Sequence, residues 1–352
     1  MDRREFLQKS LLLGGGLTLE SMLLSCATIG IGHKEDSPVI YPRLRGHKIQ
    51  PPENGCLIGF FRHYRHTNPR FPSGVDTDSG RPIEYYGKEF GRNPAFLVLS
   101  HNISIFSRFP KEDAVNAASR GVTPFIFAET SPQSSTMKGR KLEDIANGVY
   151  DNGAREFAKG AKEFGEHYGG YFLTTMWEMN IDYKSAPWVW CDQPKSFKKA
   201  WQHLWHIFEE TGANQYTTWV IEYYVGFRLD SYYPGDKYVD WIGLSAYNRA
   251  IYYHSSGYRY LKDLISTPLH YFQSKHSEKP VIISEFASTV GEDQPNWLRN
   301  AYHYIRSKPG IKAAAYWDSV NFELGDNHTL MDESIIALKE ILKDSYFIMA
   351  KQ

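Results

Sequence analysis

Eight short apolar, β-rich runs alternate with amphipathic stretches across residues 55–352, with no linker, low-complexity tract or sequence repeat among them. A polar or aromatic functional group follows every run, at the end where a parallel barrel gathers its loops. Together these observations predict an α/β chain folded as one (β/α)8 (TIM) barrel rather than a doubly wound sheet.

The strands expected are 56–61, 95–99, 123–128, 170–176, 216–221, 238–244, 281–284 and 313–317, each short and apolar enough to be buried on both faces. Helical periodicity falls between them, for instance over 141–164, 196–210, 260–276, 295–307 and 332–343. The groups just past successive strands are Arg62 and His63, His101 and Asn102, Glu129, Glu178, Glu222, Tyr247 and Asn248, Glu285, and Trp317 and Asp318.

Residues 1–26 have the pattern of an export signal. Asp2-Arg-Arg-Glu-Phe-Leu7 matches a twin-arginine sequence, and Leu11–Leu19 is apolar but too brief to span a bilayer. Leu23-Leu-Ser-Cys26 resembles a bacterial lipobox, which makes Cys26 a lipidation candidate, although Glu20 interrupts the apolar run. Residues 27–54, with Pro38, Pro42, Pro51 and Pro52 and no clear period, are expected to be a tether. The chain is thus expected to be exported to the periplasm or cell surface, touching membrane only through one lipid group. Cys56 and Cys191 fall at opposite barrel ends, too far apart for the roughly 7 Å limit of a disulfide.

Forty basic and forty acidic residues leave a formal charge of zero, which argues against an electrostatic grip on nucleic acid. Aromatic residues make up 15%, a composition suited to a cleft that stacks on flat apolar ligand faces. His203 and His206 share a helix face but lack further ligands at metal-binding spacing, and Ser284 lacks the Gly-x-Ser-x-Gly setting of a nucleophile elbow. No metal or cofactor is expected, and a monomer is.

Two glutamates carry the chemistry. Glu178 closes Gly169-Gly-Tyr-Phe-Leu-Thr-Thr-Met-Trp-Glu178, and Glu285 closes Lys279-Pro-Val-Ile-Ile-Ser-Glu285. Two carboxyls converging on one barrel mouth are the minimum equipment for glycoside hydrolysis, one as acid/base and one as nucleophile in a retaining enzyme. Trp177 and Met179 flank Glu178 with apolar surroundings that favour the neutral acid, whereas Tyr247 is expected to hold Glu285 ionised by donating to it.

These segments resemble glycoside hydrolase family 26, whose best-known members are endo-β-1,4-mannanases. The likeness covers most of residues 145–320. Glu178-Met-Asn180 reproduces the second half of the family's Arg-Pro-x-His-Glu-Met-Asn motif. Trp188-Val-Trp190 and Phe197-Lys-Lys-Ala-Trp201 are similar to its tryptophan-bearing loop and following helix. Tyr232-Tyr-Pro-Gly-Asp-Lys-Tyr-Val-Asp-Trp-Ile-Gly-Leu-Ser-Ala-Tyr-Asn248 follows the family sequence nearly residue for residue. The resemblance implies Glu178 as acid/base, Glu285 as nucleophile, Tyr247 as its orienting partner and Trp317 as a sugar platform. Trp177, Trp190, Asn180, His101 and Glu222 complete the candidate substrate-binding set.

The chain departs from the family where Thr174 and Trp177 replace Arg and His, and where Ser245-Ala246 replaces Asp-Gly. A bulky indole next to the acid should reshape the subsite at the cleavage point. The partner expected is a polysaccharide or oligosaccharide, β-mannan-like by resemblance. A non-catalytic glycan-binding lipoprotein, or a glycosidase acting on the producer's own exopolysaccharide, are the alternatives.

Overall fold

The computed structural model describes residues 47–62, 80–100, 103–130, 141–181, 190, 193–225, 228–249, 257–291, 293–321 and 326–350. The export signal, Cys26, His63, His101, Asn102, Trp188 and Cys191 lie outside them. Contacts divide the chain into Met1–Ser37 and Pro38–Gln352, and the fold described belongs to the second unit.

Eight parallel strands close into a barrel: β1 (Cys56–Arg62), β2 (Phe96–Leu99), β3 (Thr123–Phe127), β4 (Tyr171–Thr174), β5 (Thr217–Tyr224), β6 (Trp241–Asn248), β7 (Val281–Ser288) and β8 (Ile311–Asp318). They pair in sequence order, and β1 pairs β8 over six residues to shut the ring. A small hairpin, β9 (Val320–Asn321) with β10 (Asp326–Asn327), follows β8, and β11 (Phe347–Ile348) joins β1 at its N-terminal end. The helices are α1 (Gly80–Phe90), α2 (Lys111–Ala118), α3 (Leu142–Ala146), α4 (Asp151–Tyr168), α5 (Pro194–Thr211), α6 (Leu229–Tyr232), α7 (Leu261–Lys275), α8 (Gln294–Arg306) and α9 (Asp332–Ile341). The single helix expected over 141–164 is split in two by a turn at Asn147-Gly148, where Gly148 takes a φ of 81°. Among the described residues no helix is long and apolar enough to cross a membrane.

Strand alternation sorts the core into two compartments. Ile58, Phe60, Leu97, Ile126, Leu173, Ile221, Ile242, Ile283 and Ala314 face outward and pack with the helices. Phe61, Phe96, Val98, Phe125, Phe127, Phe172, Val220, Trp241, Ile282, Ala313 and Ala315 fill the interior. Side-chain period two requires this division, because successive residues point to opposite faces. Aromatic rings dominate the inside: Phe172 lies 5.4 Å from Phe125 and 5.2 Å from Trp241, centroid to centroid. Small residues offset their bulk, since a Cβ on Gly59 would overlap the Phe96 ring. Ile49, in the segment expected to be a tether, is buried against this interior cluster. Its N–H donates to Thr218 at 2.7 Å, and its carbonyl accepts from the Trp241 indole at 3.2 Å.

At the mouth the β1–β8 seam is locked by a buried ion pair, Arg62 to Asp318 at 2.7 Å. Asp318 also accepts from the Tyr86 hydroxyl at 2.8 Å and from the Leu330 N–H at 3.0 Å, so one carboxylate ties α1, both seam strands and the segment after β10. Removing one partner strands a buried charge. Asp318→Ala is therefore expected to lower unfolding free energy by about 3–5 kcal/mol in chemical denaturation.

Candidate active site

The interior face of the barrel runs on past its aromatic filling into a ring of polar groups. On β5 the next inward position after Val220 is Glu222, and on β6 the inward positions after Trp241 are Gly243, Ser245 and Tyr247. Strict alternation on β7 would bring Ser284 inward after Ile282 and turn Glu285 out among the helices. A bulge intervenes: Leu244 pairs Ile283 but Ser245 pairs Glu285, leaving Ser284 as the extra residue. Ile283 and Phe286 both belong to the outer compartment, so the two residues between them turn inward together. A bulge re-aims a side chain in this way.

Glu178 reaches the same place from the segment after β4. Its backbone sits at φ 54°, a left-handed conformation that costs a non-glycine residue about 1–3 kcal/mol and persists only where the surroundings impose it. The restraint is visible: the Glu178 N–H donates to the Glu222 carbonyl at 3.2 Å, and the Ser245 hydroxyl donates to Oε1 of Glu178 at 2.8 Å. Tyr247 donates its hydroxyl to Oε2 of Glu285. Ser245 and Tyr247 are same-face neighbours on β6, about 6.6 Å apart along the strand. One strand thus grips both catalytic candidates, Glu178 through Ser245 and Glu285 through Tyr247.

Electrostatics follow from this closeness. The carboxyl of Glu285 is pushed up from its ordinary 4.5 to about 8, first by burial and then by the charge of Glu178; Tyr247 and Arg249 pull the other way without prevailing. The sequence-based expectation that Tyr247 would keep Glu285 ionised is therefore corrected. The hydrogen bond is there, but burial beside a second carboxylate outweighs it. Tyr247 itself is driven well above its usual range by burial and by both glutamates, which keeps its hydroxyl a donor. Its ring lies 5.2 Å from that of His328, and the Arg249 guanidinium stands 4.6 Å from its centroid. His328 is kept neutral by burial and by Arg249, its pKa lowered to about 3.

Trp177 and Trp317 are half-buried against the interior cluster at this mouth. Trp317 stacks on Phe61 at 3.7 Å, and Trp177 lies 5.6 Å from Phe127. Each keeps part of its surface exposed. Other candidates are placed differently. Asn180 spends its amide on both backbone groups of Tyr224, at 2.7 and 2.9 Å, and Trp190 donates its indole N–H to the Thr130 carbonyl at 2.6 Å. Both are buried, and their polar side-chain groups bond to backbone of neighbouring segments. Glu222 is also buried, and Thr174 faces inward with a hydroxyl that has no partner among the described residues. His203 pairs with Asp151 on the barrel's outside, and no cluster of metal-ligating side chains occurs among the described residues. Sequence reasoning missed Ser245, Arg249 and His328. Ser245 was legible as an inward position of β6 two residues before Tyr247. His328 was not, since it arrives from the segment after β10.

Between pH 4.5 and about 8 the folded chain keeps a proton on Glu285 that the unfolded chain has lost, so stability falls as pH rises through that window. Glu285→Gln removes the effect. Its melting temperature is expected to exceed the parent's at pH 8 and to converge with it toward pH 4.5, as thermal unfolding across pH would show.

No protein-family model matches the chain. Endoglucanase H of Acetivibrio thermocellus is 27% identical over 211 residues, a stretch that spans 56% of this chain but 23% of that protein. Among solved structures, a ruminal family 26 endo-β-1,4-mannanase superposes with a TM-score of 0.58 at 17% identity, covering 84% of this chain and 64% of the other. The catalytic domain of the family 26 endo-β-1,4-mannanase of Bacillus sp. JAMB-750 gives 0.59 at 14% identity, over 84% and 87% of the two chains. What these structures share with the chain is the eight-stranded parallel barrel. In fold, the chain resembles the glycoside hydrolases of family 26, the same family whose motifs its sequence carries.

Proposed function

We propose that this protein is an exported, retaining β-glycanase in which Glu178 is the acid/base and Glu285 the nucleophile. The observation that carries the reading is the grip of β6 on both carboxyls from adjacent inward positions, Ser245 on Glu178 and Tyr247 on Glu285. Retaining hydrolysis needs two carboxyls roughly 5–5.5 Å apart on either side of the anomeric carbon. Hydrogen bonds to both carboxyls from neighbouring inward positions of one strand support that reading.

The first step takes Glu178 as the acid and Glu285 as the carboxylate, so the proton that Glu285 keeps in the free site leaves it as the sugar binds. With a sugar bound across the mouth, Glu178 gives a proton to the glycosidic oxygen while Glu285 attacks the anomeric carbon, breaking the C–O bond and forming a glycosyl ester. Glu178, now a carboxylate, takes a proton from water, which displaces Glu285 and restores the starting state. Tyr247 stays protonated throughout and orients the attacking oxygen. Trp177 and Trp317 offer apolar faces to the sugar ring.

The substrate class is a β-linked glycan, mannan-like by the motifs and by the activities for which the structural neighbours are named. Thr174 and Trp177, where the family carries Arg and His, make the ring at the cleavage point meet an indole, so the preferred sugar is expected to differ from that of the mannanases. The endoglucanase relative adds a glucan to the candidate backbones. Export and a lipid at Cys26 belong to the same proposal, since a glycan too large to enter a cell must be met outside it.

A reducing-sugar screen over mannan, mixed-linkage glucan and β-1,3-xylan tests the activity. Proton NMR of the first product tests the stereochemistry, with retention expected; inversion would overturn the two-glutamate displacement. Glu178→Gln should lose about 10²–10⁴-fold in turnover on the cognate glycan while circular dichroism stays native. Glu285→Gln should lose at least as much, since no covalent intermediate forms without it.

A further inference from the structure

We propose that Glu222 is a third carboxyl of this site, held as the neutral acid, that positions Glu285 through a hydrogen-bond chain to Ser284. The inference rests on the glycosidase reading for its consequence in turnover, but its protonation state stands on geometry alone.

Oε1 of Glu222 lies 2.8 Å from the Ser284 hydroxyl, and that same hydroxyl lies 3.2 Å from the Leu244 carbonyl. A serine hydroxyl has one hydrogen to give. If Glu222 were ionised, that hydrogen would satisfy one of the two acceptors and leave the other facing a lone pair. The remaining carboxylate oxygen, Oε2, has no hydrogen-bond partner among the described residues. A buried anion would then rest on a single hydrogen bond, an arrangement that costs far more than protonation. With the proton on Oε1 the count closes. Glu222 donates to Ser284, Ser284 donates to Leu244, and Oε2 is an ordinary carbonyl oxygen.

The surroundings agree. Burial first raises Glu222 well above the usual carboxyl range, Glu285 from β7 and Glu178 from the segment after β4 add to it, and the Ser284 hydrogen bond pulls the other way without prevailing. Tyr247, on the neighbouring β6, stays neutral, and the site's cation, Arg249, acts on Glu285, Tyr247 and His328. Space for the chain is made by Gly243 on β6. A Cβ there would stand 3.1 Å from the Ser284 hydroxyl and 3.3 Å from the Glu222 Cα, closer than side chains ordinarily pack.

Ser284 is the residue whose insertion creates the bulge, so fixing its hydroxyl fixes the turn that brings Glu285 into the barrel. The backbone carbonyl of Glu222 meanwhile holds the strained Glu178. One residue of β5 therefore restrains both members of the pair, the nucleophile by its side chain and the acid by its main chain. Glu222 acts on geometry and touches no substrate.

Infrared spectroscopy of the unliganded protein is the direct test. In a Glu285→Gln background, which removes the proton kept on Glu285, a protonated-carboxyl C=O band is expected at pH 7 and should vanish when Glu222→Gln is added. Absence of that band in Glu285→Gln would overturn the proposal, whether or not any glycan is ever cleaved. With a cognate glycan, Glu222→Ala is expected to lose about 10²-fold in kcat with KM little changed, as misplacement of a reacting group does. Glu222→Gln, whose amide donates to Ser284 as the acid does, should restore most of that loss. A Glu222→Gln variant as impaired as Glu222→Ala would also overturn it.

Discussion

The site depends on β6. Its inward side chains, Gly243, Ser245 and Tyr247, form a short column that makes room for Ser284, then holds Glu178, then holds Glu285. A parallel strand buried on both faces is among the most rigid supports a fold offers, and a pair of carboxyls hung from successive inward positions inherits that rigidity. Little of this positioning comes from loops. Even Glu178, which sits beyond its strand, is tied at both backbone and side chain to β5 and β6.

That rigidity has an electrostatic purpose. Three carboxyls gather at one place, and burial together with like charge raises the proton affinity of Glu222 and Glu285. Tyr247 resists the trend at Glu285 as a donor, and Arg249 resists it as a cation. The aromatic interior packs below this ring of polar groups, with Trp177 and Trp317 partly buried against it. Packing and proton affinity are therefore two aspects of one arrangement.

The same barrel shows where the candidate set divides. Asn180 and Trp190 belong to the family-like motifs, yet their polar atoms are consumed by Tyr224 and Thr130. Asn180 ties the segment of Glu178 to β5, and Trp190 ties its own segment to the chain just after β3.

The barrel itself was legible in the sequence because burial on both faces demands unbroken apolar runs, and eight such runs separated by helical periodicity leave few alternatives. The runs were read too short at β5, β6 and β7. Polar residues such as Glu222, Ser245 and Glu285 looked like strand ends, although a functional barrel continues its ladder past them. Alternation from Val220 and Trp241 also places Glu222, Ser245 and Tyr247 inside without any structure. Glu285 is the exception. Counting by twos from Ile282 points it outward, and only the extra residue inserted between Ile283 and Glu285 reverses that. A bulge is a matter of pairing between two strands, so no pattern within one strand reveals it. His328 came to lie against Tyr247 for a similar reason: its nearness is set by how the segment after β10 folds back over β6, a relation that exists only in three dimensions.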